Sequence, residues 1–128
     1  MHGKMPDSAE TLDFIRDSFR SVWSLELLCI LKSDPDRAWP RADLVERLRA
    51  SDSVVEQSVE GLVAGGLVVV EEDSSARYAP AWPELDRLSR NAEELYAKRP
   101  GAVRRLIVMS GSSGSLTAFA EAFRLRGD

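Results

Sequence analysis

The chain has 128 residues, 44% of them hydrophobic and 30% charged, with a formal net charge of −4. That length fits one domain, and that balance can fill a core and still wet a surface, which excludes a wholly disordered or fibrous chain. One cysteine, Cys29, and one histidine, His2, exclude an internal disulfide, Cys/His zinc sites and His-dependent catalytic triads.

From Ser8 to about Ser33, Leu12, Ile15, Phe19, Val22 and Trp23 step by three and four, and Leu27, Leu28, Ile30 and Leu31 then crowd together as on a deeply buried helix. One or two helices are expected there, with any break near Ser21 or Ser24. Asp34-Pro35-Asp36 ends the run, because a proline pushes the residue before it out of the helical region. A loop carrying Arg37, Trp39 and Pro40 leads to a short amphipathic helix over Arg41 to Ala50, whose stripe is Leu44, Val45 and Leu48.

Ser51-Asp52-Ser53 reads as a polar turn, and Ser53 with Glu56 matches an S-x-x-E capping box, which predicts a third helix from about Val54. Its apolar set is Val55, Val59, Leu62 and Val63, and Gly65-Gly66 supplies a positive-φ stop. Leu67 to Val70 and Ala76 to Ala79 then read as a small antiparallel hairpin around Glu71–Ser75, closed by Pro80.

Pro83 suits the first turn of a further helix, lined by Leu85, Leu88, Ala92, Leu95 and Tyr96 and reaching Arg99. Val103, Leu106, Ile107 and Met109 repeat the theme over residues 101–109. Ser110 to Ser115 is a hinge by composition. A last helix from about Leu116 to Arg126 would bury Leu116, Phe119, Ala120 and Phe123 and show Arg124 and Arg126 outward.

No stretch approaches the ~18 apolar residues of a membrane span, and Met1 to Asp7 has no apolar run behind Lys4, so neither a membrane segment nor a signal peptide is expected and the cytoplasm is the expected compartment. Charge is uneven. Residues 1–97 hold 11 basic and 19 acidic side chains, a balance of −8, whereas the rest carries +4. A pI near 5.1 is low for a protein that sits on phosphate, where cations supply most of the non-specific affinity.

Helix, helix, three-residue turn, helix and hairpin is the order of a winged helix-turn-helix. The stretch ADLVERLRASDSVVEQSVEGLVAGGLVVVEEDSSARYAPA, with its Leu44-x3-Leu48 pair, Val55-x3-Val59-x2-Leu62 stripe and Gly66-Leu67-Val68 exit, resembles the bacterial winged-helix regulators of the MarR-like or PadR-like kind. The resemblance covers about 40 residues and is a packing pattern. It implies a mainly α fold with a small β-hairpin: a winged helix-turn-helix domain over residues 8–80 and a helical C-terminal extension over 81–128.

The resemblance further implies a homodimeric transcriptional regulator that binds double-stranded DNA; with no nucleophile beside a candidate base, no Gly-rich phosphate loop after a strand and no ligand set beyond three consecutive acids, no enzyme, cofactor or metal is expected. Carried over residue by residue, Ser53, Val54, Glu56 and Gln57 would read bases, on an outer face that also holds Glu60 and Gly61. Arg37, Arg41, Arg49 and Arg77 would hold the phosphate backbone, and Leu88, Leu95, Tyr96, Phe119 and Phe123 would pair two subunits. This sequence departs from the pattern in having no cation on that face and an acidic Glu71-Glu72-Asp73 wing tip. The competing expectation is therefore a protein-interaction module whose acidic third helix and wing recognise a basic partner.

Other clusters carry blander readings. Lys98, Arg99, Arg104 and Arg105 read as a solvated helix face, Trp23, Trp39 and Trp82 as packing rather than a ligand pocket, and Cys29 as a buried, unreactive side chain.

Overall fold

The structure is a computed structural model and describes residues 9–111; the helix expected from Leu116, with Phe119 and Phe123, lies outside them. The chain forms α1 (Ala9–Ser18), α2 (Val22–Ser33), α3 (Arg41–Leu48), α4 (Asp52–Ala64), β1 (Val68–Val70), β2 (Ala76–Tyr78), α5 (Pro83–Lys98) and α6 (Pro100–Gly111). The fold is thus mainly helical with a small antiparallel sheet.

The N-terminal apolar run breaks at Ser21. Its hydroxyl accepts from the Ser24 amide, and the Ser24 hydroxyl accepts from the Ser21 amide, each at 3.3 Å, so that two free donors at the start of α2 are satisfied reciprocally. Phe14 and Phe19 meet edge to face at a centroid distance of 5.7 Å beside this corner. In α2, Leu25, Leu27, Leu28 and Leu31 are all fully buried, and α3, α4, β2 and α6 pack around the helix.

Pro40 precedes α3, which ends at Arg49 in the left-handed region with φ 56°. The three-residue turn Arg49–Ser51 then delivers α4. Its N-cap is Ser51, whose hydroxyl accepts from the Val54 amide at 3.1 Å. The S-x-x-E reading at Ser53 was therefore two residues late: α4 starts at Asp52, and Ser53 stands exposed in its first turn. The left-handed Arg49 turns the chain early enough for Ser51 to reach the cap.

At the other end of α4, the Gly66 amide donates to Val63 and the Leu67 amide to Leu62, both at 3.0 Å, a paired closure that needs the positive φ of 78° found at Gly66.

β1 and β2 pair with Val68 opposite Tyr78, Val69 opposite Arg77 and Val70 opposite Ala76. Trp39, expected in a loop, bridges Ala76 from the other side through two backbone hydrogen bonds of 2.7 and 2.9 Å. The hairpin is thereby tied to the segment between α2 and α3.

Pro83 opens α5 with Glu84 and Asp86 in its first turn, as its dipole favours. From the far end of the sequence α1 packs onto α5 and α6, held also by Arg87 donating to Glu10 at 2.9 Å and Asn91 donating to Thr11 at 3.5 Å. The Tyr96 hydroxyl, donating to Glu26 at 2.7 Å, ties α5 to α2. Among the described residues no helix is long and apolar enough to cross a membrane.

The cap assignment is checked by urea unfolding: Ser51→Ala should destabilise the protein by about 1 kcal/mol, and Ser53→Ala should stay within about 0.5 kcal/mol of wild type.

Candidate functional site

α4 buries Val55, Ser58 and Leu62 toward α2 and α3, which leaves Ser53, Glu56, Gln57 and Glu60 exposed along one outward face. Val54 and Gly61 are half-buried at its edge. Of the residues expected to read bases, Ser53, Glu56 and Gln57 thus stand together in solvent, and Val54 turns toward a neighbouring groove.

That groove, about 320 Å³, runs between the start of α2 and α4 and is lined by Arg20, Trp23, Val54, Gln57, Glu60 and Gly61. Trp23 is 41% exposed in its wall. The helical periodicity of residues 12–23 had put this side chain on the inward stripe; the break at Ser21 restarts the helical phase and turns it out. Gly61 leaves the wall open beside Arg20, whose Cδ would lie 3.9 Å from a β-carbon there. Arg20 and Trp23 are the members of this site that sequence reasoning missed, and the exposed arginine before a capping serine was the available signal.

The four arginines expected on a phosphate backbone divide sharply. Arg41 lies 3.6 Å from Asp52 and 3.7 Å from Glu56, bridging the acidic start of α4. Arg37 meets Asp43 at 2.9 Å with its guanidinium 3.7 Å above the Trp39 ring, and Arg47 approaches the same ring at 5.5 Å. Arg77 meets Glu71 at 2.9 Å across the hairpin. Arg49 has no carboxylate at ion-pair distance among the described residues, nor does Arg20. The pairs are solvent-exposed, worth ~0–1 kcal/mol each, so a phosphate can compete for these arginines.

At the hairpin tip the Asp73 carboxylate accepts from the Ser75 amide at 3.0 Å, which holds its pKa below the usual carboxylate value. Glu71, Glu72 and Asp73 are all exposed.

Two of the residues expected to pair subunits, Leu88 and Leu95, are buried in this chain's own core, where α1 and α6 already cover the apolar stripe of α5; Tyr96 is half-buried. The tryptophans share no cavity: Trp39 is buried, and Trp82 is exposed where it precedes α5. Comparison of the chain with protein-family models, with curated proteins and with solved structures finds no match.

Cys29, expected to be buried, is half-buried against the core, and desolvation, with Glu93 nearby, pushes its thiol up to about 12. A thiol is reactive as its thiolate. Iodoacetamide at pH 8, followed by mass spectrometry, should therefore leave Cys29 unmodified in the folded protein and label it in denaturant; rapid labelling of the folded chain would contradict the burial.

Proposed function

We propose that α2, α3, α4 and the β1–β2 hairpin form a winged helix-turn-helix unit, and that the protein is a DNA-binding regulator of transcription with α4 in the major groove. One observation carries this reading. The outward face of α4 is exposed to solvent at Ser53, Glu56, Gln57 and Glu60, and it is flanked by two arginines with no carboxylate partner among the described residues, Arg20 before α2 and Arg49 in the turn before α4.

The cations that α4 lacks thus come from the elements beside it. Gln57 offers the bidentate amide that suits adenine, and Glu56 can accept from the cytosine amino group. Arg49 is informative for a second reason. A left-handed backbone costs most residues other than glycine, asparagine or aspartate ~1–2 kcal/mol, so the arginine stands there at a local cost in stability.

A second reading is favoured by a different observation. Arg41, Arg37 and Arg77 are each held by acids of their own chain, whereas Glu60 on α4 and Glu72 and Asp73 on the hairpin are exposed with no ion-pair partner among the described residues. Such a surface suits a basic protein partner.

Fluorescence anisotropy of the full chain against a pool of genomic duplex fragments, at low and physiological salt, separates the two. For a DNA reader, Arg20→Gln and Arg49→Gln should each lower the slope of log affinity against log salt by about 0.9, and Gln57→Ala should flatten sequence preference by about 1–3 kcal/mol. Glu56→Gln, which removes one of the two carboxylates beside Arg41, should tighten non-specific binding. Absence of duplex binding at low salt by folded protein sinks the DNA reading, and retention on a basic peptide that Glu60→Gln abolishes supports the other. In a parallel denaturation, Arg49→Gly should raise stability by up to about 1 kcal/mol while weakening duplex binding.

A further inference from the structure

Opposite charges that share a surface of this chain pair readily, as Arg41 does with Asp52 and Glu56, and Arg77 with Glu71. In the groove between the start of α2 and α4 they do not. Arg20 and Glu60 both line it, yet they lie beyond ion-pair distance of one another, and neither has another charged partner among the described residues. The side-chain amide of Gln57 and the hydroxyl of Ser58 line the same groove and make no hydrogen bond to any described residue, although Ser58 is only 5% exposed.

A buried hydroxyl without a partner costs free energy that a bound group can return. The half-exposed indole of Trp23 stands in the wall beside these groups, and Gly61, with no side chain, keeps the space open. At about 320 Å³ the groove has the size of a small-molecule site, ~300–1,000 Å³. Its unspent groups ask for a ligand with a flat ring, an anion and N–H donors.

We propose that this groove binds a guanine mononucleotide, with the base stacked on Trp23, the phosphate held by Arg20 and the N–H edge of the base turned to Glu60. Stacking on an aromatic side chain suits any base, and the planar guanidinium matches phosphate oxygens with two parallel hydrogen bonds. Arg20 also stands just before the N-terminus of α2, whose dipole favours an anion.

Glu60 selects the base. Guanine presents two adjacent donors, N1–H and the 2-amino group, which one carboxylate accepts together, whereas adenine presents a bare acceptor at N1. Glu60 also sets a nucleotide above a free anion. Inorganic phosphate gains Arg20 and is repelled by Glu60, while the donors of guanine make the same carboxylate attractive. A duplex cannot take this place, because its bases are stacked and paired. Arg20 and Gln57 also serve the duplex reading, so the two ligands would exclude each other, but the site does not depend on that reading.

Calorimetric titration of the full chain with GMP, AMP, guanosine and inorganic phosphate, in the absence of DNA, tests the proposal. GMP should bind one to one, at least tenfold more tightly than AMP, guanosine or phosphate. Trp23→Ala and Arg20→Gln should each weaken GMP at least tenfold, and Trp23→Phe, which keeps a stacking ring, should restore most of the loss. Arg20→Gln should leave guanosine unaffected. Glu60→Gln should bring GMP and AMP within about threefold of each other. These side chains are exposed, and circular dichroism of each variant should match wild type. Absence of GMP binding by folded protein overturns the proposal. So does binding that survives both Trp23→Ala and Arg20→Gln, which would place the nucleotide elsewhere, or phosphate binding as tightly as GMP, which would leave only an anion contact.

Discussion

The rest of the structure depends on the burial of one helix. α2 hides Ser24, Leu25, Leu27, Leu28 and Leu31 completely or nearly so. At ~100° per residue these positions span an arc of about 160°, wider than the ~100° stripe of a helix that meets one layer. A helix so apolar needs neighbours on several sides, and α3, α4, β2 and α6 supply them. Each buried leucine contributes ~1.5–3 kcal/mol, a substantial fraction of the ~5–15 kcal/mol that holds a whole domain together. The orientation of α4, and with it the direction of Ser53, Glu56 and Gln57, is set by contact with this central helix.

Electrostatics shapes the surface in a way the net charge conceals. Acids on α4 and the hairpin are matched by arginines from α3 and β2 at distances of 2.9 to 3.7 Å, in positions open to water. Exposed pairs of this kind hold little energy and exchange partners readily. The same arginines thus have two partners available to them, carboxylates within the chain or an anion from outside. On the proposed DNA-binding reading, these acids would keep the unbound surface from attracting every polyanion, which favours selectivity over raw attraction.

The helices were legible in the sequence because long apolar periodicities are strong signals, and the stops at Pro35, Gly66 and Pro100 are local chemistry. The misreadings share a cause, which is that tertiary geometry chose between local alternatives. Ser51 and Ser53 can each cap a helix; the left-handed Arg49, invisible in a pattern of residue types, decided for Ser51. Trp23 looked inward until the break at Ser21 restarted the helical phase. Trp39 pairs as a single residue, too short to leave an alternation, and its partner Ala76 lies far along the chain. The stripe on α5 was visible, but nothing near it announces that α1 covers it, since that contact joins residues about eighty positions apart. Candidate side chains on α4 were likewise readable as a face, whereas Arg20 entered only once α2 was packed beside them.

The turn between α3 and α4 holds just three residues, with the backbone of the first inverted and the side chain of the last capping the helix that follows. Because α4 turns ~100° per residue, its rotational phase is tied to the number of residues in that turn. With the cap position held, one residue fewer would set Glu56 where Val55 packs, and one residue more would set Gln57 where Ser58 packs, in either case driving a polar side chain toward the core. Substitutions at Arg49 or Ala50 alter chemistry while leaving this phase intact. The length of this turn, more than the spelling of its first two residues, therefore sets which face of α4 meets water.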